Sequence, residues 1–199
     1  MTDRHSEIIE LIRKEVKPAL GCTEPIALAL ATAKASELFI ENEVLEDRLS
    51  GDFLIDVEVS ANILKNGMGV GIPGTGMVGL FIAAALGAIC GKSRYGLEVL
   101  KDLNEESTSA AKRLVERKSV KISLADTDRK LYIKAKIETV GKDGRTHSSE
   151  VTIEDDHDRI TDIIYDGRVI SAGHKEVCKQ EQKETIDYGL TVGKSMIFQ

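Results

Sequence analysis

The sequence contains few cysteines, and those that it has stand far apart. Its 199 residues include only three: Cys22, Cys90 and Cys178. An odd, dispersed set fits neither a disulfide scaffold nor a Cys-x-x-Cys metal site, so we expect reduced thiols. We therefore expect no metal site formed by this chain alone.

The sequence also lacks a basic cluster, a long apolar run and a targeting signal. The net charge is −6, and no basic run is interleaved with aromatic residues, so we expect no nucleic-acid partner. The apolar stretches 26–33 and 77–90 are shorter than a bilayer span and rich in Ala and Gly, which predicts buried helices and no membrane segment. No charged segment followed by an apolar one opens the chain, so we expect no signal peptide and a cytoplasmic location.

Hydrophobic periodicity predicts that residues 1–118 are mainly helical. Apolar residues recur at helical spacing between Ser6, which can cap a first helix, and Pro18, which ends it. Thr23 can cap a second helix, which is nearly apolar over its first two turns. Further helices are expected near 77–89, 95–100 and 104–117.

Alternating patterns predict strands in two places. Residues 53–59 alternate apolar and polar side chains and lead into a glycine-rich segment. From Val120 onward the alternation returns, and turn signals at 141–144 and 166–167 predict β-hairpins over 119–175. With no internal repeat and no low-complexity linker, residues 1–199 are expected to form a single α+β unit, with helices packed on a mostly antiparallel sheet.

The glycine-rich segment is the densest motif, with six glycines within the thirteen positions 67–79. Such backbone favours special dihedral angles, exposed N–H groups or a closely bound ligand. Gly74, Gly76 and Gly79 match the G-x-G-x-x-G dinucleotide fingerprint, but Pro73 interrupts a regular preceding strand, and Glu98, the residue at ribose-contact spacing, falls in a helical pattern. Glycines needed only for turns and helix packing are the other interpretation.

Polar residues beside this segment are candidates for substrate contact. Asn62, Lys65 and Asn66 could orient a substrate carboxylate, or they could form a polar turn after the strand. The candidate substrate-binding residues are Asn62, Lys65, Asn66, Gly67, Gly74, Thr75 and Gly76. An acidic stretch with one histidine, 154–158, is typical of a solvated turn rather than of a metal site.

Cys22 is the candidate nucleophile or base. It precedes the cap of the second helix, where exposed N–H groups would stabilise a thiolate and lower the thiol pKa. The alternative is a small buried hydrophobic residue beside an apolar helix. The adjoining Glu24 and Pro25 are consistent with ordinary capping.

Three segments taken together, 15–25 with its Gly-Cys-Thr-Glu-Pro motif, 60–79 and 96–101, resemble the N-terminal half of the L-cysteine desulfidase family. That family is related to the alpha chain of iron–sulfur L-serine dehydratases. The resemblance implies a lyase of amino-acid breakdown that converts L-cysteine to hydrogen sulfide, pyruvate and ammonia by α,β-elimination. It also implies a 4Fe-4S cluster acting on the leaving group, no pyridoxal phosphate, and a role for Cys22 as the base that takes the α-proton.

The chain departs from that family because members are longer and hold their cluster with cysteines of a C-terminal half. Cys90 and Cys178 do not fall in those motifs, so the cluster ligands are not expected in this chain. The first hypothesis is a lyase half-site for L-cysteine or L-serine, inactive without a separate C-terminal half. The second is a truncated, non-catalytic binding or assembly domain, and dinucleotide binding is a remote third.

Self-association is also expected. Without a covering half, the apolar start of the second helix or the alanine-rich helix would be exposed, and large apolar patches seek partners.

Overall fold

The computed structural model describes residues 4–15 and 18–172. The helices are α1 Arg4–Glu15, α2 Thr23–Glu41, α3 Ala61–Gly67, α4 Leu80–Cys90 and α5 Glu105–Glu116, with a 3-10 helix at Ser93–Glu98. The strands are β1 Leu54–Val59, β2 Gly71–Ile72, β3 Met77–Val78, β4 Val120–Leu124, β5 Tyr132–Val140, β6 Thr146–Glu154, β7 Ile160–Tyr165 and β8 Arg168–Ala172.

Six of these strands form one sheet in the order β4-β1-β5-β6-β7-β8. Only the β1–β4 pair is parallel, and the other four pairs are antiparallel. In β1, Ile55, Val57 and Val59 are buried, while the alternate residues point to the other, more exposed face. The structure thus confirms the α+β class with a mostly antiparallel sheet, and it places β1 inside the sheet although the sequence around it is mainly helical.

The core depends on a close contact between α2 and α4. A Cβ at Gly87 of α4 would lie 2.1 Å from Thr32 Oγ1 and 2.2 Å from the backbone oxygen of Ala29. One turn later, a Cβ at Gly91 would lie 2.7 Å from the Cβ of Ala33. From the first contact to the second, the position moves forward in both helices, from Ala29 to Ala33 in α2 and from Gly87 to Gly91 at the end of α4. The two helices therefore run in the same direction and begin at the same end of the molecule.

The two apolar helices are buried, which corrects one expectation. Residues 25–33 of α2 and 82–89 of α4 are all buried. The expected exposure of these surfaces was wrong, because α2 and α4 cover each other and α2 packs on β5 and β6. Within the described residues, no helix combines the length and apolarity needed to cross a bilayer.

Several predicted boundaries shift. The cap of α2 is Cys22 rather than Thr23, and α1 begins before Ser6. The alanine-rich helix starts at Leu80, because Met77 and Val78 form a short strand ahead of it. The helix expected near 95–100 is the 3-10 helix, in which Gly96 breaks the regular dihedral angles.

The β5–β6 and β7–β8 hairpins, both predicted from their turns, are joined by one histidine. His147 Nδ1 lies 2.8 Å from Asp166 Oδ2, and Nε2 lies 3.3 Å from Asp143 Oδ1. The hydrogen bond to Asp166 raises the pKa of His147, and Asp143 adds to this effect against a cost of burial. The imidazole of His147 thus connects two turns that are distant in sequence.

Replacement of Gly87 by Ala should destabilise the fold. Alanine favours a helix by about 1 kcal/mol over glycine. The added methyl group would nevertheless overlap the backbone of Ala29, so we expect a net loss of about 3 kcal/mol in the free energy of unfolding. Urea unfolding measures this, with Gly69→Ala as the control, since a Cβ there meets nothing within 4 Å and should change stability by less than about 0.5 kcal/mol. Equal stabilities of the two variants would contradict the close packing.

The His147 contacts should make stability depend on pH. A folded-state pKa raised above the unfolded value near 6.5 gives a stabilisation that is complete below that value and lost as pH rises through the folded pKa. We therefore expect the stability difference between the natural protein and His147→Asn to be larger at pH 6 than at pH 8.5, measured by urea unfolding. A difference that does not change with pH would show that the charge on His147 does not stabilise the fold.

Candidate functional site

The Gly-Cys-Thr-Glu-Pro motif forms the entry to α2. Gly21 has φ +97°, in the region that favours glycine, and this turn lets the chain enter the helix with Cys22 as its N-cap residue. The preceding residue, Leu20, is tied by its N–H to the carbonyl of Leu97 at 3.2 Å. A Cβ on Gly21 would lie 3.5 Å from the ring of Pro73, so the motif borders the glycine-rich segment directly.

A chain of hydrogen bonds links this motif to α3. The Cys22 thiol donates to Glu24 Oε2 at 2.8 Å. The other carboxylate oxygen of Glu24 accepts from Asn66 Nδ2 at 3.2 Å, and Asn66 Nδ2 also reaches Asn62 Oδ1 at 3.4 Å. We call these four residues the Cys22 cluster. It brings together three residues that the sequence analysis selected from two distant segments.

The face of α3 that carries this cluster is exposed and polar. Asn62, Lys65 and Asn66 stand three and four positions apart, which places them on one side of the helix. Only Ile63 among the side chains of α3 is fully buried, and it anchors the helix to the core. The alternative of a polar turn does not hold, because residues 61–67 form a helix. Seven residues with one anchoring side chain are too few to show helical periodicity in the sequence.

The charges of the cluster keep the proton on sulfur. The hydrogen bond to the Glu24 carboxylate raises the pKa of Cys22, and partial burial adds to this, although the N–H groups of Glu24 and Thr23 oppose it. The same hydrogen bond lowers the pKa of Glu24 against the effect of burial, with further lowering by its own N–H, by Asn66 and by the charge of His157. The expected lowering of the thiol pKa was wrong, because the helix-start N–H groups are outweighed by the carboxylate two residues away.

The glycine-rich segment forms a small hairpin of β2 and β3. Residues 73–76 make its turn, with Gly74 at φ +80° and Gly76 at φ +65°. Thr75 is buried in this turn, where its hydroxyl donates to the carbonyl of Ile72 at 2.8 Å and accepts from the N–H of Met77 at 2.9 Å. The side chain of Thr75 is therefore occupied by its own turn.

Other glycines of the segment permit close packing. A Cβ at Gly67 would lie 2.3 Å from Leu80 Cδ2, and one at Gly79, which has φ +97°, would lie 2.8 Å from the carbonyl oxygen of Met68. A Cβ at Gly74 would lie 3.2 Å from Leu103 Cδ2. Turns and packing account for these positions.

The geometry gives no support to a dinucleotide site. In the fingerprint, the glycines link a parallel strand to a helix that receives the pyrophosphate. Here Gly74 and Gly76 lie in the turn of an antiparallel hairpin, and Glu98 ends the 3-10 helix rather than a strand.

An open cavity of about 670 Å³ lies beside the hairpin turn. Its wall is formed by 73–75 and by the start of α5, with Lys101 and Lys112 among the lining residues. Leu20 and Ile26, which flank the motif in the sequence, also line it, whereas Cys22 does not. The cavity therefore adjoins the Cys22 cluster without containing it.

The described residues do not fit an iron–sulfur cluster. They include no group of three or more His, Cys, Asp or Glu side chains arranged to hold a metal ion. Cys90 lies in α4 with its thiol donating to the carbonyl of Leu86 at 3.3 Å, and Cys178 lies outside the described residues. Within 154–158, Asp155 pairs with Arg129 and Arg159, which supports the interpretation as a surface turn.

Three curated proteins show what the chain is similar to. It is 47% identical over 182 residues to a protein of Parabacteroides distasonis, a match that covers 88% of this chain and 39% of that protein. A Shewanella pealeana protein is 49% identical over 160 residues, with 80% and 34% covered, and a Bacteroides thetaiotaomicron protein is 44% identical over 186 residues, with 92% and 40% covered. Each bears the name UPF0597 protein. The homologues are UPF0597 proteins.

The UPF0597 relatives are longer than this chain, which spans 34 to 40% of the three proteins compared. Their name states no reaction, so it neither supports nor opposes the resemblance to L-cysteine desulfidases. No family model and no solved structure matches the chain.

Glu24 is the site residue that the sequence analysis missed. An acidic residue in the first turn of a helix is usual, because it offsets the helix dipole and caps N–H groups. Its hydrogen-bond partner Asn66 lies forty-two residues later in the chain. The only sequence signal was its position two residues after Cys22.

Replacement of Thr75 by Val should destabilise the hairpin turn. Valine keeps the shape but leaves the Met77 N–H and the Ile72 carbonyl without their partner, so we expect a loss of about 1 to 3 kcal/mol in the free energy of unfolding. Thr75→Ser keeps the hydroxyl and should retain most of the stability, as measured by urea unfolding. A Thr75→Val variant as stable as the natural protein would mean that the hydroxyl is free to serve a ligand.

Proposed function

We propose that this chain is the base-bearing part of a lyase that catalyses α,β-elimination from L-cysteine or L-serine. The observation that carries the proposal is the hydrogen-bonded path from Cys22 through Glu24 to Asn66 and Asn62. This path joins two of the segments that resemble L-cysteine desulfidases. Glu24 and Asn66 are 42 residues apart in the sequence, so their contact is not a result of chain proximity. The homology to UPF0597 proteins is compatible with this reaction and does not specify it.

The reaction needs a base for the α-proton of the amino acid, which is only weakly acidic. Cys22 is exposed at the start of α2, so a substrate can reach its sulfur. As a thiolate, Sγ would take the α-proton, the electron pair of the broken C–H bond would form the Cα=Cβ double bond, and the β-substituent would leave with the electron pair of its bond to carbon. The resulting enamine hydrolyses to pyruvate and ammonia.

The substrate contacts that we propose lie mainly on α3. Asn62 and Asn66 offer amides, and Lys65 on the same exposed face offers a cation for the substrate carboxylate. Thr75, Gly67 and Gly74 contribute to the shape of the neighbouring hairpin and helix start through their contacts, and Gly76 contributes through its φ of +65° in the turn.

Activation of the leaving group lies beyond this set of residues. The 4Fe-4S cluster that the resemblance implies has no ligand set among the described residues. We therefore assign to this chain only the proton transfer and the holding of the substrate, and we propose that a longer polypeptide or a separate C-terminal half supplies the remainder.

A non-catalytic binding or assembly domain is the second candidate. One observation favours it: the contact with Glu24 holds the Cys22 thiol protonated, so the chain at rest lacks a ready base. In that case the Cys22 cluster would only fix α3 against the start of α2.

A chimaera separates these two functions. Residues 18–172 of this chain replace the aligned segment of the longer Parabacteroides distasonis protein, and pyruvate formation from L-cysteine and L-serine is measured under anaerobic conditions. We expect Cys22→Ala to reduce kcat by roughly 10²- to 10⁴-fold, the usual contribution of a general base.

The control is Cys90→Ala, which removes the other described thiol from inside α4 and should leave kcat nearly unchanged. The 199-residue chain alone should form no pyruvate and release no sulfide. Undiminished activity of the Cys22→Ala chimaera would exclude Cys22 as the base and favour the non-catalytic domain.

A further inference from the structure

We propose that Glu24 is a positioning residue for Cys22, which holds the thiol in place and receives its proton when the sulfur acts as a base. This inference deepens the proposed function and rests on it. The inference adds Glu24 to the site, although its place in the first turn of α2 indicates only helix capping.

The geometry fixes the carboxylate from two sides. Oε2 of Glu24 lies 2.8 Å from the Cys22 sulfur, and Oε1 accepts from the Asn66 amide at 3.2 Å. Glu24 is half-buried, and Asn66 is itself oriented by Asn62 at 3.4 Å. A carboxylate held at both oxygens has one preferred orientation, and that orientation points one oxygen at the thiol.

Charge balance explains why a carboxylate is a suitable partner. If Cys22 lost its proton to water, two negative charges would stand side by side, which is costly. If the proton moves to Glu24, the S–H bond breaks, its electron pair stays on sulfur, and an O–H bond forms on Oε2. The pair then carries a single negative charge before and after the transfer.

The surrounding groups act on the two ends of that transfer in opposite senses. The N–H groups of Thr23 and Glu24 stabilise the thiolate from the helix start. The Asn66 amide and the charge of His157, in the turn between β6 and β7, stabilise the Glu24 carboxylate and so oppose its protonation. A thiolate formed in this way faces positive partial charges along the helix start.

Site-resolved alkylation tests the contact in the full chain. Iodoacetamide is reacted with the protein across a pH series, and the peptides that contain Cys22 and Cys90 are quantified by mass spectrometry. Glu24→Gln keeps the size of the side chain but removes its negative charge. We expect the reaction of Cys22 at pH 8 to become about threefold faster or more, because the thiolate no longer meets a neighbouring anion.

The matched control is Glu106→Gln. Glu106 occupies the same second helical position of α5 that Glu24 occupies in α2. This substitution should leave the alkylation of Cys22 unchanged. Cys90 in every sample serves as an internal reference for the overall integrity of the fold.

A second variant distinguishes a specific effect on Cys22 from a general loss of structure, which would also speed up alkylation. Asn66→Ala leaves the Glu24 carboxylate in place but removes the hydrogen bond to its Oε1, so we expect a smaller change in Cys22 alkylation in the same direction. In the chimaera, Glu24→Gln should lower kcat with little change in KM, while Glu106→Gln should change neither. A residue with only a structural role would not produce faster alkylation together with slower turnover.

The outcomes separate the two proposals. An alkylation profile of Cys22 that Glu24→Gln leaves unchanged would overturn the role of Glu24, whatever the activity of Cys22→Ala. Retained activity of Cys22→Ala would overturn the proposed function, even if Glu24→Gln accelerates alkylation. Faster alkylation combined with lower kcat supports both.

Discussion

The contact between Gly87 and the backbone of Ala29 is the constraint on which the rest of the structure depends. It allows α2 and α4 to approach with only small side chains of α2, those of Thr32 and Ala33, at the contact, and the contact of Gly91 with Ala33 sets the two helices in the same direction. Because both helices begin at the same end, the segments that precede them meet there. Gly21 consequently packs on Pro73, and the motif with Cys22 lies beside the glycine-rich hairpin.

This constraint also shows which features a sequence can predict. The β-hairpins and the α+β class follow from alternation and turn residues, which are local signals. The link from Cys22 through Glu24 to Asn66 depends on how the helices pack, and the sequence carries that information only as small residues in α2 and α4. The resemblance to a known family placed both segments in one site, whereas periodicity alone left them as unrelated motifs.

Glu24 and the thiol pKa were harder to predict for an electrostatic reason. At a helix start, N–H groups favour a thiolate and a neighbouring carboxylate opposes it. Which effect is larger depends on how closely the carboxylate approaches the sulfur. One oxygen of that carboxylate is held by Asn66, a residue of α3, so the arrangement could not be deduced from the five residues of the motif.

The exposure of Cys22 to solvent affects where its proton goes in the proposed transfer. In contact with water, a proton leaving the sulfur can pass to solvent as well as to Glu24. A covering segment would remove that water and raise the cost of separating charge, because burial disfavours any added net charge. Transfer from Cys22 to Glu24 leaves the net charge of the pair unaltered, so burial would penalise it far less than release to solvent. On the proposed function, exclusion of water from the site would therefore direct the proton to Glu24, whereas the exposed Cys22 of this structure keeps its proton.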